Sequence, residues 1–139
     1  YSITDEMKAQ MKDFVGGWAS EDKTAAEIKR VYEATGYVMD THTAVAAHVC
    51  QEYQENSGDK TKCVVASTAS PYKFAGSVMA AIDEKYASVD EFDLLKELSQ
   101  VSNTEMPNAI KEILNANILH TLECDVDKME DTVKAILEL

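Results

Sequence analysis

Hydrophobic residues recur at steps of three and four positions through most of this chain, which is the spacing of amphipathic helices. Two long helices are predicted in the first half, over 20–35 and 41–56, and each is followed by a glycine suited to end a helix. The predicted helices begin at or just after residues that cap or open helices, namely Thr4, Ser20, Asp40, Ser70, Ser88, Pro107 and Asp125.

One stretch departs from the helical spacing. Cys63–Ser67 is a short, uncharged run with adjacent valines, which predicts a strand buried on both faces. A polar turn follows at once, and Ser70 and Pro71 can then open a helix. A strand, a turn and a helix in this order are typical of the edge of an α/β sheet, where ligands usually bind. A weaker strand candidate lies within 117–123.

We therefore expect an α/β fold dominated by helices, with about six helices, one firm strand and one or two weaker ones. The expected organisation is one unit over 1–139, divided into a helical part (1–60), a strand–turn–helix part (61–87) and a helical tail (88–139). The predicted core consists of the hydrophobic residues on the inward faces of these elements. These are Phe14, Trp18, Ile28, Val31, Val45, Val49, Val64, Val65, Val78, Ile82, Leu94, Leu98 and Val133.

The length, charge and cysteine content of the chain limit the kinds of protein to which it can belong. With 139 residues, 45% hydrophobic and 27% charged, the chain corresponds to one folded domain or a piece of one. A net charge of −12 argues against a nucleic-acid or anionic membrane surface, because both need clustered Lys and Arg. Three widely spaced cysteines fit reduced thiols and a cytoplasmic location. Since the chain begins at Tyr1 rather than methionine, we expect a piece of a longer protein.

Two motifs then give the chain a resemblance to a known family. The sequences DTHTAVA at 40–46 and STASPYKF at 67–74 resemble, in order and separation, the C-terminal part of threonine synthase. The likeness covers nearly the whole chain but only that portion of the enzyme. It implies a fold-type II pyridoxal-phosphate enzyme that converts O-phospho-L-homoserine and water into L-threonine and phosphate. One departure is Thr41, where the family usually has proline, which is a matter of helix initiation rather than chemistry.

The resemblance also implies roles for particular side chains. In this fold type a neutral hydroxyl at the end of a C-terminal strand meets the ring nitrogen of the cofactor. By position in the motif that hydroxyl is Thr68, with Ser67 as the neighbour that could serve instead. A hydroxyl lets the ring nitrogen stay neutral, whereas a carboxylate would hold it protonated. Lys73 and His42 are expected near the substrate or cofactor, and their individual roles stay open.

Other parts of the expected chemistry are absent from the sequence. There is no glycine-rich phosphate loop, and no lysine in a context resembling the family's Schiff-base motif. We therefore expect no catalytic residue here, and expect the fragment alone to be inactive and not to hold pyridoxal phosphate. No metal site is predicted, because His42 and His48 lack the spacing of paired ligands and the acidic residues after Cys124 lack that of a calcium loop.

Two alternative interpretations stay open. The chain could be an autonomous acidic α/β interaction domain in which the turn after the strand is purely structural. It could also come from another fold-type II enzyme, such as a relative of the tryptophan synthase β chain. Under the threonine synthase interpretation, the expected partners are the missing N-terminal part and the small-molecule substrate. A second copy could also pair through exposed apolar faces.

Overall fold

The computed structural model describes residues 1–139 and consists of helices joined by turns and loops, without a β-strand. The α-helices are α1 (Asp5–Gln10), α2 (Glu21–Thr35), α3 (Thr41–Ser57), α4 (Ala75–Ile82), α5 (Glu91–Ser102), α6 (Asn108–Leu114) and α7 (Met129–Ile136). Three 3-10 turns accompany them, at Pro71–Phe74, Glu84–Tyr86 and Val126–Lys128. The prediction of a helix-dominated chain is confirmed, and the prediction of strands is wrong for this chain.

The two long helices lie where the sequence predicts them because their boundary residues act locally. The Ser20 hydroxyl accepts a hydrogen bond from the amide of Lys23 at 3.3 Å and caps α2. Gly36 ends α2 with φ +74°, and Gly58 ends α3 with φ +71°, which is the left-handed region that glycine adopts without strain.

Two predicted caps differ in the structure. Helix α5 is capped by Asp90, whose carboxylate accepts from the amide of Phe92 at 2.9 Å, rather than by Ser88. Ser88 lies instead in a turn, within which the amide of Val89 bonds to the carbonyl of Tyr86 at 3.2 Å. Asp125 precedes a 3-10 turn and makes no capping hydrogen bond with its side chain. The local pattern therefore placed these helices correctly but not their first residues.

The hydrophobic core is built around α4, which packs against α2 on one side and α5 on the other. The centre of α4 is completely enclosed, with Val78 and Met79 both 0% exposed. Four predicted core residues are confirmed as buried, namely Ile28, Val78, Leu94 and Leu98. Four others, Val31, Val45, Val49 and Ile82, are only partly buried.

Five predicted core residues instead lie at the surface. Phe14, Trp18, Val64, Val65 and Val133 are all exposed. Helices α1 and α7 contain no buried residue, so their hydrophobic faces have no covering element in this chain. The reason is physical: an amphipathic pattern predicts that a face is suited to burial, but it does not say which surface will cover it.

The segment Cys63–Ser67 has no partner strand, and Val64 is 94% exposed. A strand is stabilised by hydrogen bonds to a neighbouring strand, and no segment of the chain provides one. The expectation that Thr68 ends a buried strand is therefore wrong for the chain by itself. The weaker candidate within 117–123 is likewise exposed and without strand structure. None of the helices combines the length and hydrophobicity that crossing a membrane would take.

Candidate functional site

The two motifs found in the sequence meet at the carboxylate of Asp40, which is buried at the N-terminus of α3. Its Oδ1 atom accepts hydrogen bonds from the amides of His42 at 2.9 Å and Thr43 at 3.1 Å. Its Oδ2 atom accepts from the hydroxyl of Thr43 and, at 3.5 Å, from the hydroxyl of Ser67. The hydroxyl oxygens of Thr43 and Ser67 lie 3.1 Å apart. The first motif therefore holds the start of the second.

The environment of Asp40 favours its ionised form. Burial alone would raise the pKa of this carboxyl, but the hydrogen bonds from the Thr43 hydroxyl and from the amides of Thr43 and His42 outweigh it, so the pKa lies below its ordinary value. The N-terminus of α3 adds a further favourable field for negative charge. Asp40 is thus ionised near neutral pH, where it acts as an acceptor that orients the Thr43 and Ser67 hydroxyl groups.

A cleft of about 380 Å³ opens beside this junction, where the first turns of α2 and α3 face α4. His42 is exposed and lies at this cleft with its ring centroid 5.6 Å from that of Phe74. Val45 also lines the cleft, as expected from its spacing to His42. The cleft is lined by Ala19, Glu21, Thr24, Thr41, His42, Val45, Phe74 and Ser77. His42 is consequently open to a ligand rather than packed in the core.

Lys73 immediately precedes Phe74 in the sequence and is also exposed. Its Nζ atom is 5.5 Å from the centroid of the Phe74 ring, within the range of a cation–π interaction. Although the chain is strongly acidic, no carboxylate lies within salt-bridge distance of Lys73. Its charge therefore remains available to an anion from outside the chain.

Thr68 is exposed, and its hydroxyl makes no hydrogen bond within the chain. It lies between two anchored positions. Ser67 is bound to Asp40, and on the other side Ser70 accepts the amide hydrogen bond of Tyr72 at 3.3 Å. Tyr72 is buried and donates its hydroxyl to the carbonyl of Thr104 at 3.2 Å. The turn that carries Thr68 is thus held at both ends while the Thr68 side chain faces outward.

Sequence reasoning identified Asp40 only as a helix cap and missed Thr43 altogether. The signal was present in the spacing, because residues three apart at a helix start share one side of the first turn. What no spacing could reveal was that Ser67 would come to the same carboxylate.

The fold and this site together define a helical module with a turn, residues 67–70, from which the exposed Thr68 hydroxyl faces outward. We call this turn the hydroxyl turn. Residues 43–135 match the family model described as "Threonine synthase, C-terminal". The chain belongs to this family.

Several similar proteins are named threonine synthase or threonine synthase-like 1. The chain is 36% identical over 95 residues to threonine synthase-like 1 of Mus musculus, a match that covers 68% of this chain and 11% of that protein. It is 35% identical over 77 residues to threonine synthase of Schizosaccharomyces pombe, covering 55% of this chain and 15% of the relative. Against threonine synthase of Corynebacterium glutamicum the identity is 26% over 128 residues, covering 87% of this chain and 26% of the relative. The chain thus spans a small part of the length of the relatives it matches.

Proposed function

We propose that this chain is the C-terminal part of a threonine synthase that converts O-phospho-L-homoserine and water into L-threonine and phosphate. Membership of the family supports this assignment. The single observation that carries it is the hydrogen bond between Ser67 and Asp40, which joins the two motifs and fixes the turn bearing Thr68. In the complete enzyme this turn forms one wall of the cofactor site.

The residues of this turn fit the ring-nitrogen end of pyridoxal phosphate. When bound, the cofactor supplies an electron sink for carbanions formed on the substrate. Thr68 is the better candidate for the ring-nitrogen contact, because the Ser67 hydroxyl is already engaged by Asp40 whereas the Thr68 hydroxyl has no partner in the chain. Asp40 acts as a positioning residue, since it holds Ser67 and thereby the backbone of the next residue.

We assign His42 and Lys73 to the binding of anionic groups. Both side chains are exposed beside Phe74, and the substrate carries a phosphate group that a cation would attract. The Lys73 ammonium has no carboxylate partner in the chain, which supports a role toward phosphate or toward a carboxylate of the missing part.

The remainder of the enzyme is the proposed partner of the exposed apolar faces. Those faces comprise Met7 on α1 with Phe14 and Trp18 after it, the unpaired segment 63–65 and one side of α7. A missing strand beside 63–67 would satisfy the free backbone groups that the isolated segment leaves to solvent. The fragment alone is proposed to be inactive and not to retain the cofactor, and a cytoplasmic location is proposed because its three cysteines are free. A dimer through the same faces is the alternative partner.

The proposal is tested by titrating pyridoxal phosphate into the isolated chain and then reducing with borohydride. We expect that no single lysine becomes labelled stoichiometrically. The reason is that the chain contributes a hydroxyl contact to the cofactor but no phosphate cradle. Stoichiometric labelling of one lysine would overturn the proposal that the Schiff-base lysine and the phosphate cradle lie outside this chain. The same titration with the full polypeptide is the positive control.

The autonomous interaction domain makes a different prediction for the parent polypeptide. A start codon close to Tyr1 would favour it, whereas a lysine motif and a phosphate loop encoded upstream would favour the enzyme.

A further inference from the structure

Two of the three cysteines lie together, away from the hydroxyl turn. Cys50 is half-buried on α3, and Cys63 is exposed at the start of the unpaired segment. Gln54 lies one helical turn after Cys50 and donates its amide both to the Cys63 sulfur at 3.4 Å and to the carbonyl of Thr61 at 2.8 Å. Since residues four apart share a helix face, the Cys63 sulfur is held over the face that carries Cys50.

Cys63 also affects the ionisation of Cys50. Its neighbouring thiol, together with burial and the negative charge that Cys63 acquires on ionisation, raises the pKa of Cys50 above its ordinary value. The remaining cysteine, Cys124, is exposed in the segment before α7 and serves as an internal comparison. Proximity and fixed orientation are the two conditions for a disulfide that forms without a large backbone movement.

We propose that Cys50 and Cys63 are a redox modification site that forms a reversible intramolecular disulfide with small-molecule disulfides as the oxidant. The exposed Cys63 thiolate attacks one sulfur of the small disulfide, which gives a mixed disulfide and releases one small thiolate. The Cys50 thiol then loses its proton to solvent and attacks the Cys63 sulfur, which releases the second small thiolate. In total, two protein thiols and one small disulfide yield one protein disulfide and two small thiols.

The bond would fix the start of the segment that leads to the hydroxyl turn. Residues 63–67 would then be held covalently at Cys63 and by the Asp40 hydrogen bond at Ser67. Because the Cys63 side chain faces α3, the bond leaves the backbone of the segment free to pair with a strand from outside the chain. The inference does not depend on the proposed enzymatic reaction.

The test is to equilibrate the 139-residue chain with reduced and oxidised glutathione at a series of ratios, quench with an alkylating reagent, and measure intact mass and peptides. We expect a species that has lost two hydrogens, is alkylated only at Cys124, and contains a linked Cys50–Cys63 peptide that dithiothreitol releases. The Cys124→Ser variant should form the same species. The Cys63→Ser variant should form none, and its circular dichroism spectrum should be unchanged because Cys63 is exposed.

Two results would overturn the inference. One is accumulation of a glutathione adduct on Cys63 with Cys50 still open to alkylation. The other is oxidation that proceeds only between chains through Cys124.

Discussion

The hydroxyl of Ser67 donates a hydrogen bond to the buried carboxylate of Asp40 across 3.5 Å, although the two residues are 27 positions apart. The same carboxylate caps α3 through the amides of His42 and Thr43. One charged group therefore performs a local task, starting a helix, and a long-range one, placing the turn that contains Thr68. Loss of this carboxylate should disturb both.

Replacement of Asp40 by alanine should destabilise the chain by roughly 2–4 kcal/mol, because a helix cap is lost and the Thr43 and Ser67 hydroxyls lose their acceptor. The matched control is Asp90→Ala, which removes an exposed cap with a single side-chain hydrogen bond to Phe92 and should cost about 1 kcal/mol. Urea denaturation measures both. Equal losses in the two variants would contradict a long-range role for Asp40.

Acidification should lower the free energy of unfolding, in part through protonation of Asp40. Its pKa is lower in the folded state than in the unfolded chain, so its contribution is fully present above the unfolded value of about 4 and is lost as the pH falls through the folded value. The Asp40→Asn variant should therefore show a flatter decline of unfolding free energy below about pH 4. Asp59→Asn is the comparison, because the pKa of Asp59 is also lowered, by hydrogen bonds from Thr61, at a half-buried position. A decline as steep as that of the unaltered chain would show that Asp40 does not contribute.

Thr68 should matter for turnover and not for folding. In the full polypeptide, Thr68→Val should lower the rate of phosphate release roughly tenfold through loss of one hydrogen bond, with the cofactor still attached, and Thr68→Ser should restore most of the rate. In the isolated chain, Thr68→Val should change the unfolding free energy by no more than about 0.5 kcal/mol, because the side chain is exposed. Phosphate release and cofactor absorbance are the measurements. Unchanged kinetics in Thr68→Val would remove this residue from the site.

The division between the core and the uncovered faces can be tested with two identical substitutions. Leu98, in α5, is 0% exposed, and Leu137, which directly follows the last residue of α7, is 60% exposed. Leu98→Ala should cost about 2–5 kcal/mol of unfolding free energy because it leaves a cavity, whereas Leu137→Ala should change it by no more than about 0.5 kcal/mol. If α7 is covered by the rest of the enzyme, Leu137→Ala should destabilise the full polypeptide more than the isolated chain. A large loss for Leu137→Ala in the isolated chain would mean that α7 packs against the core there.

The sequence by itself determined the features that depend on neighbouring residues. Ser20 and Gly36 delimit α2, and Asp40 and Gly58 delimit α3, because caps act within one helical turn. The two motifs were likewise sufficient to indicate the family that the comparison confirmed.

Only the tertiary structure decided which hydrophobic faces are covered and which distant groups meet. Val78 and Trp18 both lie on predicted inward faces, yet Val78 is 0% and Trp18 74% exposed, because burial depends on another surface being present. The valines of 63–67 remain unpaired for the same reason, since a strand needs a neighbour for its hydrogen bonds. The contact of Ser67 with Asp40 required the chain to fold back on itself, and no local pattern contains that information.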